Sequence, residues 1–153
     1  MKVKEIMSVS PATCTPDTTL AAAANLMWET DCGVLPVVDD GELVGIVTDR
    51  DMFIALGTRN TRAVHLRVGA VATKSVSTCG PDDEVEEALV TMKHGRVRRL
   101  PVVDANRTLV GILSLNDIVL AAGDHKAVRD RDVVDALQGI CAHHHGSTDE
   151  AAA

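Results

Sequence analysis

The chain repeats itself at an interval of sixty-five residues. Pro16-Asp17 returns as Pro81-Asp82, Cys14 as Cys79, and Leu35-Pro36-Val37-Val38-Asp39 as Leu100-Pro101-Val102-Val103-Asp104. After one inserted residue, Leu43-Val44-Gly45-Ile46-Val47-Thr48-Asp49-Arg50-Asp51 is answered by Leu109-Val110-Gly111-Ile112-Leu113-Ser114-Leu115-Asn116-Asp117. The interval is longer than a heptad or a solenoid period. It has the length of half a small domain. Two copies of one unit packed about a pseudo-twofold axis are expected, with two related places to hold a ligand.

Each copy carries the same internal order. Leu20, Ala23, Ala24 and Met27 stand at i, i+3, i+4 and i+7, the apolar stripe of a helix, and Val85, Ala88, Leu89 and Met92 repeat it. Pro16-Asp17 and Pro81-Asp82 lie just ahead, where Asp is expected to cap free N–H groups. Two β-branched runs follow, 34–38 and 43–47, around Asp39-Asp40-Gly41-Glu42, and read as a hairpin. The second copy gives 97–103 and 109–113. A second helix is expected at 50–56, stopping at Gly57, and at 116–122, stopping at Gly123. With a short lead strand, the unit is β-α-β-β-α and the fold class is α/β. The expected boundaries are 1–57 for the first repeat, 58–67 for the linker and 68–123 for the second repeat. Residues 124–141 form a helical segment with Val133, Val134, Leu137, Ile140 and Cys141 to one side, and 142–153 a loose tail.

Composition bounds the function. The 153 residues suffice for one core, and with aromatics at 1% that core is aliphatic. No apolar run reaches the roughly eighteen residues that spanning a bilayer needs. The opening residues run directly into the first repeat, so no signal peptide and a cytoplasmic location are expected. A net charge of −7 argues against a general nucleic-acid binder. Cys14, Cys32, Cys79 and Cys141 form no CxxC motif. Buried thiols are the plainer expectation for Cys14 and Cys79, with a redox pair as the alternative.

The two Gly-x-x-Thr/Ser-x-x-Asp segments carry the chemistry. Each places a hydroxyl at a strand end and a carboxylate three residues later, in the first turn of a helix. Helix N-termini favour anions. Thr48 or Ser114 can donate to a phosphate, and Asp51 or Asp117 can accept from the vicinal hydroxyls of a ribose. The same residues also suit simple helix caps.

The element order, the Leu-Pro-Val-Val-Asp strand and the Gly-x-x-Thr/Ser-x-x-Asp segment resemble the CBS domain, named after cystathionine β-synthase, over about residues 3–122. The chain is similar to the stand-alone tandem CBS pairs of bacteria, some of them stress-associated. The resemblance implies a flat homodimer and an adenosine-type ligand (AMP, ADP, ATP or S-adenosylmethionine) between the repeats. It implies ribose and phosphate contacts at Asp117 and Ser114 in one cleft and at Asp51 and Thr48 in the other. Adenine contacts would fall on Thr15, Leu20, Cys32 and Gly33 for the Asp117 cleft, and on Gly80, Val85, Val97 and Arg98 for the Asp51 cleft. The family's phosphate cation falls on Arg99, beside Arg98, whereas the first repeat has Val34. Only the Asp117 cleft then has hydroxyl, carboxylate and cation together.

Arg96, Arg98 and Arg99 also suit a solvated strand edge, although Arg's planar fork fits phosphate well. Cys141 with His143, His144 and His145 suggests zinc as an alternative, and His65, His94 and His125 are scattered. No nucleophile elbow or phosphate-binding Gly-Lys loop is present, so an enzyme is not expected. Nor is a cofactor. The expected function is a regulatory sensor that binds an adenine nucleotide and acts on an unidentified protein target. The alternative is a metal- or redox-responsive stress protein.

Overall fold

The computed structural model describes residues 1–125 and 128–142. Ten elements follow in order: β1 (Ser8–Val9), α1 (Leu20–Glu29), β2 (Val34–Asp39), β3 (Glu42–Thr48), α2 (Asp49–Arg59), α3 (Val85–Gly95), β4 (Arg99–Val103), β5 (Leu109–Ser114), α4 (Leu115–His125) and α5 (Asp130–Cys141). The chain is thus α/β, with β2–β3 and β4–β5 as antiparallel hairpins.

The lead strand does not join its own repeat. β1 pairs with β5, Ser8 opposite Ile112 and Val9 opposite Gly111. The matching segment of the second copy returns the favour, with Thr73 bridging Ile46 of β3. The crossing extends upstream. Val3 N–H donates to the Asp83 carbonyl at 3.0 Å, and Val68 N–H to the Thr18 carbonyl at 2.8 Å. Lys4 N–H donates to Pro81 and Gly69 N–H to Pro16, each at 2.9 Å. Two glycines make room for it. A methyl on Gly111 would lie 2.6 Å from Met7 Sδ, and one on Gly45 would lie 3.1 Å from the Thr73 carbonyl. Side chains at those positions would push the crossing strands off the sheet.

The two cores are therefore cross-assembled. Val68 packs with Cys14, Leu20, Ala23, Met27, Leu35, Val37, Val47 and Met52. Val3 packs with Cys79, Val85, Leu89, Met92, Leu100, Val102, Leu113 and Ile118. Both valines are fully buried, and burying a valine contributes about 1.5–3 kcal/mol. Cys14 and Cys79 add a parallel bridge at the far edge of each hairpin, to Val37 and Val102.

Several helix ends depart from expectation. Asp17 and Asp82 do not cap. Thr19 does, its hydroxyl accepting from Ala22 N–H at 3.2 Å, and Glu84 opens α3, where Glu87 accepts from its N–H at 3.2 Å. The residues between proline and helix are instead occupied by the crossing segments, and Asp82 pairs with Lys4 at 2.6 Å. α2 runs through Gly57 and stops at Asn60, in the left-handed region at φ 46°. The Thr58 hydroxyl donates to Ile54 at 2.8 Å and Arg59 to the Ala70 carbonyl at 3.0 Å, which hold that last turn. α4 likewise continues past Gly123. Glycine only weakens a helix by about 1 kcal/mol; here it does not end one.

α5 lies on α3, joined by Lys93 to Asp135 at 2.6 Å. Val133, Ala136, Leu137 and Ile140 face the core, while Val134 and Cys141, seven apart on the neighbouring stripe, face water.

Truncating Val68 tests the crossing. Val68→Ala should cost about 2 kcal/mol, and native-state hydrogen exchange should speed up first in α1 and β3. Loss of protection confined to α3 and β5 would contradict the cross-assembly.

Candidate functional site

A cavity of about 240 Å³ opens at the end of β5 where α4 begins, lined by Ser8, Pro11, Ala12, Thr30, Cys32, Val34, Pro36, Arg99, Ile112, Ser114 and Asp117. Its floor follows from strand alternation. Ile112 and Ser114 share a face of β5, and Arg99 stands opposite Ser114 in the register of β4. The other wall belongs to the first repeat, where residues 32, 34 and 36 alternate along β2 and its approach. The crossing of β1 brings Ser8, Pro11 and Ala12 against them.

The carboxylate of Asp117 is held by its own helix end. Ser114 N–H and Ser114 Oγ donate to Asp117 Oδ2 at 2.8 and 2.7 Å, and Asp117 N–H donates to Ser114 Oγ at 3.2 Å. This reciprocal cap fixes the side chain and occupies one oxygen. Among the described residues, no hydrogen bond is made to Oδ1. Cap and acceptor are thus compatible roles for one residue. Thr48 and Asp51 repeat the arrangement, at 3.0, 2.7 and 3.1 Å.

Thr15, Leu20 and Gly33, expected at this cleft, do not line the cavity, and the residues expected at the Asp51 cleft line neither cavity described in this structure. Leu20 and Val85 are in the two cores, fully buried, because the apolar stripe of each helix faces its own sheet. Thr15 is turned to Thr18, whose Oγ1 accepts from its N–H at 3.0 Å. Gly33 faces the Asp49 carboxylate. Gly80 N–H donates to Asp83 at 2.7 Å, and Val97 packs against the second core. Arg98 Nη2 lies 3.9 Å from Cys141 Sγ on α5. Of the four first-repeat contacts expected here, Cys32 alone lines the cavity. Ser8, Pro11, Ala12, Thr30, Val34, Pro36 and Ile112 were not anticipated as lining. Period-two reading of 32–36 and 112–114 exposes three of these, Val34, Pro36 and Ile112. The remaining part depends on the strand crossing, which no local pattern announces.

The thiols differ by burial. Burial pushes the Cys14 thiol up to about 11. Burial, with the charge of Asp83 adding to it, pushes Cys79 up to about 12. They lie in separate cores, so they are not a pair. Cys32 Sγ is 3.1 Å from Thr30 Oγ1 and 3.3 Å from the Val34 carbonyl. Among the described residues, no three His, Cys, Asp or Glu side chains are grouped to hold a metal. His143, His144 and His145 lie outside the described residues. No described helix is long and apolar enough to cross a membrane.

The family model described as "CBS domain" matches residues 3–58 and again 68–124. The chain belongs to the CBS domain family. It is 36% identical over 118 residues to CBS domain-containing protein YhcV of Bacillus subtilis, covering 77% of this chain and 83% of that one. It is also 37% identical over 131 residues to inosine-5'-monophosphate dehydrogenase of Methanocaldococcus jannaschii, covering 85% of this chain but only 25% of the enzyme. Among solved structures, the CBS domain pair of MJ0100, in complex with 5-methylthioadenosine and S-adenosylmethionine, superposes with a TM-score of 0.73 at 31% identity, covering 80% of this chain and 96% of that one. CBSX2 of Arabidopsis thaliana, in complex with AMP, gives 0.72 at 32%, covering 82% and 98%. Hypoxic Response Protein I, with two coordinated zinc ions, gives 0.72 at 31%, covering 78% and 98%.

Reactivity distinguishes the thiols. At pH 8 iodoacetamide should modify Cys141 in the folded protein and leave Cys14 and Cys79 intact until denaturant is added, as read by peptide mass spectrometry. Equal labelling of all three would mean that the edge segments carrying Cys14 and Cys79 detach freely.

Proposed function

We propose that this CBS pair is a regulatory module that binds an adenosine-type ligand in the Asp117 cleft. The observation that carries this reading is the convergence of Ser114, Asp117 and Arg99 on one cavity whose opposite wall is apolar. The ribose hydroxyls donate to Asp117 Oδ1, the oxygen left over by the cap. The phosphate meets Arg99 and the positive end of α4, and the Ser114 hydroxyl turns from Asp117 Oδ2 to donate to it. The adenine slots between the first-repeat wall of Pro11, Ala12, Val34 and Pro36 and Ile112 of the second repeat. Relatives that bind methylthioadenosine, S-adenosylmethionine and AMP support the ligand class. Because both repeats wall the cleft, a ligand favours the conformation in which they close on it, and differential affinity moves that equilibrium. A partner protein reads the change. The dehydrogenase, a quarter of which matches this chain, carries the like segment as one part of an enzyme, and catalysis is not proposed for this segment.

The Asp51 cleft is the weaker site on this reading. Val34 stands where the second repeat has Arg99, and neither cavity described in this structure is lined by Thr48 or Asp51. A zinc reading draws no support from the described residues.

Calorimetry with AMP tests the assignment. Asp117→Asn keeps an acceptor for the cap while replacing Oδ1 by a donor, so folding should be preserved. A hydrogen bond to a charged acceptor is worth about 1.5–3 kcal/mol, so affinity should fall by on the order of tenfold to a hundredfold. Asp51→Asn should leave that binding intact. The reverse pattern would move the ligand to the other cleft. Failure of AMP, ADP, ATP and S-adenosylmethionine alike to bind would reject the reading.

We also propose that the module is a homodimer. Phe53 and Ile54 on α2 and Val119 and Leu120 on α4 occupy matching positions and are exposed, Phe53 at 79% and Leu120 at 71%. Trp28 of α1 is 88% exposed. Large apolar residues at matched positions of two outer helices suit a protein contact. Light scattering should give about twice the 16.2 kDa chain mass, and Phe53→Asp with Leu120→Asp should give a folded monomer. A wild-type monomer at micromolar concentration would overturn the proposal.

A further inference from the structure

A second cavity of about 200 Å³ lies near the turn end of the hairpins, lined by Leu43, Lys74, Val76, Thr78, Val103 and Arg107. None of Thr48, Asp51, Ser114 and Asp117 lines it, so it is separate from both capped helix ends. Three segments meet there. Leu43 opens β3, Val103 closes β4 with Arg107 in the following turn, and residues 74–78 leave the crossing strand. The two hairpins are joined at this point, with Leu43 N–H donating to the Arg107 carbonyl at 3.4 Å and Glu42 bridging Thr108.

The charge of this cavity runs against that of the chain. Acidic residues outnumber basic ones, 22 to 15, yet its lining has two cations and no carboxylate. Among the described residues, neither Lys74 nor Arg107 makes an ion pair. The nearest acid in sequence, Asp104, is spent on the turn, where its Oδ1 accepts from Asn106 and Thr108 N–H at 2.9 Å each. Arg107 is anchored as well, in the left-handed region at φ 63°, with its N–H donating to the Asp104 carbonyl at 3.0 Å. Its guanidinium therefore springs from a fixed backbone. Like charges facing a partly apolar wall repel each other unless an anion joins them, and the wall of Leu43, Val76 and Val103 strengthens the attraction to one.

We propose that this cavity is a second, separate binding site for a small multivalent oxyanion. The Arg107 fork takes two oxygens, Lys74 supplies a point charge, and the Thr78 hydroxyl donates a third contact. No aromatic ring lines the cavity to stack a base, and its volume suits a phosphate-sized or small polycarboxylate anion. Lys74 adjoins Thr73, which pairs with the first hairpin, while Arg107 belongs to the second. A bound oxyanion thus ties the two hairpins together.

Calorimetry and thermal unfolding with inorganic pyrophosphate, and in parallel with citrate, test the site, with sodium chloride holding ionic strength constant. The full-length protein should bind at least one of the two and melt at higher temperature. If pyrophosphate binds and citrate does not, the site takes phosphate chemistry; similar binding of both marks a general oxyanion site. Arg107→Gln and Lys74→Gln should each weaken binding by on the order of tenfold. Asp117→Asn should leave it unchanged, and excess AMP should not displace the probe. Binding that survives in the double variant, or that AMP abolishes, would overturn the site. So would the lack of any binding at fixed ionic strength.

Discussion

Val3 and Val68 are each buried in a core that the other repeat builds. That exchange is the constraint on which the rest of the molecule depends. It explains the glycine in the second strand of each hairpin, since Gly45 and Gly111 sit where the exchanged segment passes closest. It explains why the helices begin well after Pro16 and Pro81, because the intervening loops hydrogen-bond the exchanged segment. It also carries Ser8, Pro11 and Ala12 across to face Ser114 and Asp117. Without the crossing, each helix end would be a capped terminus open to water. With it, one of them becomes the floor of a cavity.

The cavity then acquires its character from a single break in the repeat. Thr48 and Asp51 reproduce the cap geometry of Ser114 and Asp117 almost bond for bond, so backbone and cap do not distinguish the two ends. The difference lies at Val34 and Arg99, equivalent positions on the inner strands. A valine there makes apolar wall; an arginine adds a cation. Both line the same cavity, one from each repeat, so the substitution gives that cleft a cation without taking away its apolar side.

Much of this was legible in the residues alone. The sixty-five-residue interval, the helical stripes and the hairpin turns place the elements, since each is a local pattern with one satisfactory partner surface. Ser114 and Asp117 were legible because their chemistry and spacing are local too, and Arg99 through the family's pattern at that strand. The first-repeat wall of the cavity was not. Thr15, Leu20 and Gly33 lie close in sequence to the cleft-lining segments, but Leu20 is on the core side of its helix and Gly33 is turned to Asp49. Helix ends misled for a related reason. Gly57 and Gly123 look like stops, yet α2 is held beyond Gly57 by the bonds of Thr58 and Arg59, and α4 runs on past Gly123.

The exchange of lead segments also bears on how the molecule comes to exist. Residues 1–57 contain the helices and hairpin of one repeat, but the valine that closes its core arrives only when the chain has been made past residue 68. Until then the inner faces of Leu20, Leu35 and Val47 have no lid. The second half, by contrast, needs a segment made before the helices and hairpin of the first repeat and held in waiting. Such non-local closure slows folding relative to a chain of the same size with local contacts. The two halves therefore mature together, and neither is a domain that forms first and templates the other.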